Sequence, residues 1–189
     1  MASDVAIANA ALRKLGHSPI TSFSEDSKAG RLANERFAEI RDELLSRHPW
    51  NFALKRGSLA ASSTAPEWGY SFKYPLPTDY IRVFEVNGED EGAGKWKVED
   101  GHIVTNLSAP LEILYVYRVS DANRMTSGFR AALAEVLSFE WAEDITGDDT
   151  VVEKKERSSA IAVAQARSND GQEGIPDRIE SDDWIDSRL

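Results

Sequence analysis

The sequence predicts an α+β protein. The expected architecture is an antiparallel bundle of about four helices, an inserted small antiparallel β module, and an extended C-terminal tail. Three observations carry this. Apolar residues recur at helical spacing up to Pro49; short runs rich in β-branched and aromatic residues fill Phe52 to Val119; helical spacing returns after Ser120. The corresponding segments are 1–52 for the first helical pair, 53–119 for the β module, 120–169 for the second pair and 170–189 for the tail.

The first helix is expected to be capped at Ser3 or Asp4 and to run to Leu15, because Val5, Ala8, Leu12 and Leu15 share one face and Gly16 terminates it. The second starts near Ser27 and runs to about Arg47, with Ala33, Phe37, Ile40 and Leu44 as its apolar stripe. His48 precedes Pro49 and is pushed out of helical backbone, so the helix stops there. A strand-like run follows directly, and Trp50 and Phe52 are placed to plug the junction between helices and β module. Together, His48, Pro49, Trp50 and Phe52 form the predicted module junction.

Within the module, "YSFKYPLPTDY", "IRVFEVNG", "KWKVEDGHIVTN" and "LEILYVYRVS" read as short β segments. Asp100-Gly101 marks a tight hairpin, and "NGEDEGAGK" is an acidic, Gly-rich loop. Alternation through Tyr115, Tyr117 and Val119 gives the last strand two distinct faces. A third helix, capped at Thr126 or Ser127, is expected to continue to Gly147. Asp148 or Asp149 then caps a fourth that runs to about Ser168, with Ala160, Val163, Ala164 and Ala166 as its apolar face. The polar tail after it carries Ile175, Ile179, Trp184, Ile185 and Leu189 as isolated apolar anchors, suited to docking into a partner.

Composition narrows the function classes. The chain of 189 residues has no cysteine, which excludes thiolate catalysis and Cys-ligated zinc. The start has no basic segment followed by an apolar run, so no signal peptide is expected, and no run is long enough to span a bilayer. A formal net charge of −10 does not attract phosphate backbones over the whole surface, although an acidic wall lets DNA pass without sticking. The three histidines, His17, His48 and His102, lie in different elements without metal-ligand spacing. "GEDEGAGKW" fails the phosphate-loop pattern, with Glu89 at the first Gly position and Trp96 after Lys95. No nucleophile elbow or calcium-loop pattern is present. The reading is therefore of a structural or binding protein, with no enzyme activity, catalytic residue, metal or cofactor.

Several stretches, taken in order, carry a resemblance: "ALRKLG", "SKAGRLAN", "RDELLSRHPWNFALKR", "YPLPTDYIRVFEVNG" and "NDGQEGIPDRIESDDWIDSR". They are spread from the first helix to the tail, and over nearly its whole length the chain resembles the tail tubular protein A family, the head-to-tail adaptor (gatekeeper or head-completion) proteins of tailed bacteriophages. The resemblance implies a virion structural protein of the neck, assembled in the host cytoplasm. It implies a dodecameric ring of copies of itself beneath the portal protein. That ring would extend the channel for double-stranded DNA without binding it specifically, and would attach the tail nozzle or tail tube and contact tail fibres. The expected portal contacts are the tail residues Ile175, Ile179, Trp184, Ile185 and Leu189. Two alternatives stand beside it: a tail-completion protein capping a tail tube, or a small ligand-binding module using Tyr70, Tyr74, Tyr80, Trp96, Tyr115 and Tyr117.

Overall fold

The computed structural model describes residues 2–90 and 94–173. Helix α1 (Asp4–Lys14) starts after Ser3, whose backbone is extended and whose hydroxyl accepts the Ala6 N–H. Helix α2 (Lys28–Ser46) begins the same way, with the Ser27 hydroxyl accepting the Gly30 N–H. Gly30 is required for a steric reason: a Cβ there would overlap the backbone carbonyl of Glu25, which folds back over the helix start. The apolar stripe Ala33, Phe37, Ile40 and Leu44 is buried.

After α2 the chain does not enter a strand directly. A single 3-10 turn, Asn51–Ala53, comes first, and β1 (Leu54–Leu59) follows it. At this turn Asn51 is held from outside the helix pair, by Asp170. Strands β2 (Phe72–Pro75), β3 (Tyr80–Val86), β4 (Glu89–Asp90), β5 (Trp96–Glu99), β6 (His102–Thr105) and β7 (Leu111–Tyr117) complete two sheets. One has the order β1-β7-β3-β4 and the other β2-β6-β5, and every pairing is antiparallel. The Asp100-Gly101 turn joins β5 to β6 with positive φ at both residues, +46° and +69°, the backbone of a tight two-residue hairpin.

Tyr74, Val83, Val86, Trp96, Ile103, Leu111, Ile113 and Tyr115 from the two sheets bury each other. The larger core is helical, and it also takes in Trp50, Ala53, Val116 and Val119. Strand β7 serves both: Leu111, Ile113 and Tyr115 point into the sheet core, while Val116 on the opposite face reaches the helices. Tyr117 packs against both cores.

Helix α3 (Ser127–Glu140) is capped by Thr126, and it packs against α1, α2 and the long final helix. The expectation of one helix from here to Gly147 is corrected: it breaks at Trp141, and α4 (Ala142–Thr146) follows, ended by Gly147. The break is a single residue. Trp141 N–H still donates to Leu137 and Ile145 N–H to Trp141, so hydrogen bonding is continuous through it.

Helix α5 (Asp149–Glu173) runs past the expected end at Ser168 and through Gly171. Tertiary bonds to Asp170 offset the poor helix propensity of glycine. Residues 170–173, assigned above to the tail, are therefore helical. The buried stripe of α5 is also corrected. It is Ser159, Val163, Ala166 and Asp170, at helical spacing, while Ala160 and Ala164 are exposed.

Candidate functional site

A set of specific contacts lies where the helices meet the sheets. Trp50 is 0% exposed. Its indole N–H donates to the Leu44 carbonyl at 3.1 Å, which satisfies an orphan acceptor in the last turn of α2. His48 packs edge-on against the indole at a centroid distance of 4.8 Å. Phe129 of α3 packs edge-on against it from another side at 5.0 Å. Half-buried Phe52 sits on Phe129, also at 5.0 Å. Pro49 creates this geometry by ending α2 and turning the chain, and Trp50 N–H closes the turn on the His48 carbonyl.

Asp170 locks the same turn. Its carboxylate is buried and accepts the Asn51 N–H at 3.1 and 3.2 Å. His48 Nε2 lies 3.2 Å from Oδ2, and the Asn51 side-chain amide donates to the Asp170 carbonyl at 2.7 Å. One turn earlier, Arg167 donates to the carbonyl of Arg47. The end of α5 is thus bonded to the turn that follows α2. Asp170 was missed in the sequence because it falls in a polar stretch. The available signal was its spacing of four from Ala166 and seven from Val163.

A second cluster lies nearby on the sheet. Lys55 donates to Asp79 at 2.8 Å, and the Tyr115 hydroxyl donates to the other carboxylate oxygen at 3.1 Å. Asp79 is held below the usual carboxylate range, chiefly by the Lys55 hydrogen bond. Lys55 is raised by the bond to Asp79, and then by Tyr115. Tyr115 is raised by burial. The shifts keep Asp79 and Lys55 charged and Tyr115 neutral, so the trio is an ion pair braced by a phenol hydroxyl. Beside it Arg118, just past β7, donates to Asp42 of α2 at 2.6 Å and ties sheet to helix.

The other histidines are not drawn in: His17 Nδ1 meets the Ser18 carbonyl and His102 Nδ1 the Asp100 carbonyl. Among the described residues no three His, Asp or Glu side chains are grouped to hold a metal ion. Of the aromatics considered for a ligand pocket, Tyr74, Trp96 and Tyr115 are instead buried in the sheet core, where Tyr74 donates to the Leu107 carbonyl. A groove of about 560 Å³ lies elsewhere, on the outer face of the four-stranded sheet, between Arg56, Ser58, Glu85, Glu112 and Leu114. The expected portal contacts Ile175, Ile179, Trp184, Ile185 and Leu189 lie outside the described residues, as do Glu91 to Ala93 of the acidic loop. No helix among the described residues is long and apolar enough to cross a membrane. In comparisons with known proteins, no family model matches this chain and no curated protein matches it.

Proposed function

We propose that the chain is a structural head-to-tail adaptor of a tailed phage, a ring component that sits between portal and tail and lines the DNA path. The proposal starts from the resemblance of the sequence to the tail tubular protein A family. The observation that carries it is that the two most specific stretches of that resemblance are mechanical joints. "HPWNFA" forms the Trp50 turn locked by Asp170. "YPLPTDY" supplies Asp79, clamped by Lys55 and Tyr115. Stretches that form joints rather than a pocket suit a load-transmitting part. In this reading the helices pack as one antiparallel bundle with the β module inserted. The ring is dodecameric, and its acidic surface lets DNA pass with little friction.

The portal contact is assigned to the tail residues Ile175, Ile179, Trp184, Ile185 and Leu189. Large apolar groups spaced along an acidic segment make good anchors, and repetition around a ring multiplies modest affinities. Removing residues 174–189 leaves the Asp170 lock intact. The truncated protein is expected to keep its melting temperature and to lose binding to portal-capped heads. Unchanged binding would move the portal contact away from the tail.

A further inference from the structure

Three of the tryptophans, Trp50, Trp96 and Trp141, are fully buried, while Trp68 is 85% exposed. It sits in the connection between β1 and β2, which crosses from one sheet to the other. The base of this connection is held. Ser62 N–H donates to the Lys73 carbonyl at 2.8 Å, and both the N–H and the hydroxyl of Ser71 donate to the Asn106 side-chain oxygen at 2.9 and 3.0 Å. Trp68 is therefore carried on a supported protrusion. A solvent-exposed indole on a supported loop is the arrangement of a binding hot spot waiting for its pocket.

The same chain has a pocket of matching chemistry. The outer-face groove is lined by the apolar Leu114 together with Arg56 and Ser58 of β1. Arg56 makes no ion pair among the described residues, so its guanidinium is available to stack on an aromatic face. Glu85 and Glu112 supply carboxylates for the only polar atom of an indole, its N–H donor. Glu67, beside Trp68, matches the positive charge of Arg56. The volume of about 560 Å³ accommodates an indole with its neighbouring backbone.

We infer that the Trp68 loop of one copy docks into the Arg56–Leu114 groove of the next. Loop and groove are different surfaces, so the contact is head-to-tail and propagates into a ring when the rotation closes. This deepens the adaptor reading and rests on it for the ring. One side chain and a short loop bury little area, so the contact is weak between free molecules and gains strength when copies are held side by side.

The absence of cysteine makes the test direct. Two single-cysteine variants, Ala65→Cys on the loop and Ser58→Cys on the groove wall, are mixed at high concentration with a short bis-maleimide. The mixed dimer is expected to form faster than either same-variant dimer. Adding Trp68→Ala to the loop variant should slow it by at least about tenfold, as loss of a hot-spot side chain implies. Equal rates for mixed and same-variant dimers, or no effect of Trp68→Ala, would overturn the inference. Portal binding is measured separately. Binding without this cross-link removes the loop-in-groove contact alone, whereas the cross-link without portal binding removes the adaptor reading and leaves a self-association surface.

Discussion

Trp50 and Asp170 hold the same turn but were unequally visible in the sequence. Trp50 follows a proline that must end a helix, so its role at a junction could be argued from local rules alone. Asp170 lies in a polar segment whose composition suggests a tail, and only the fold brings Asn51 and His48 to it. Trp50→Ala is expected to cost about 3–5 kcal/mol, because it empties a fully buried site and strips the Leu44 carbonyl of its donor. Asp170→Ala should cost about 1–3 kcal/mol by leaving the Asn51 N–H unsatisfied, and Asp170→Asn less, since an amide oxygen can still accept. Thermal or urea unfolding of the variants measures both. Gly30→Ala is a third case, where the new methyl forces the Glu25 backbone away from the start of α2. A loss of about 1–3 kcal/mol is expected, the usual cost of overpacking.

Among the elements, helix starts were legible because a single hydroxyl decides them: Ser3, Ser27 and Thr126 all cap where the pattern indicated. Ends and faces were less so. The end of α5 is fixed by a tertiary lock, and its buried stripe includes Ser159, whose hydroxyl bonds within its own helix to the Glu156 carbonyl and can thus be buried. The helices are further tied at Glu135 of α3. Its carboxylate takes Lys14 of α1 at 2.6 Å and the Ser158 hydroxyl of α5 at 3.2 Å. Burial pushes this carboxyl up, but Lys14, Lys155 and Ser158 together outweigh burial and hold it below its ordinary range. The folded state therefore binds this proton less readily than the unfolded chain does. The stabilisation is present above the ordinary glutamate range and is lost as pH falls through the lowered folded value. Glu135→Gln should lower stability at neutral pH and flatten the acid limb of a stability–pH profile. An acid limb identical to that of the unchanged protein would remove Glu135 from this role.

At the scale of the molecule, the α+β class was legible because the hydrophobic period changes at Pro49 and again near Ser120. The two-sheet arrangement was not. Strand order depends on pairings such as β1 with β7, which are far apart in the chain and leave no local signal. Exposed large apolar side chains among the described residues are Trp68, Val98 and Ile161, which do not make a broad apolar face. The purified protein is accordingly expected to sediment as a monomer at micromolar concentration, with ring formation waiting for a template. A stable large ring without portal would contradict the templating. Native mass measurement of the protein mixed with purified portal rings decides the adaptor role. A single discrete complex carrying twelve copies per portal ring is expected. Free portal and free monomer side by side, at concentrations where both are folded, would contradict it.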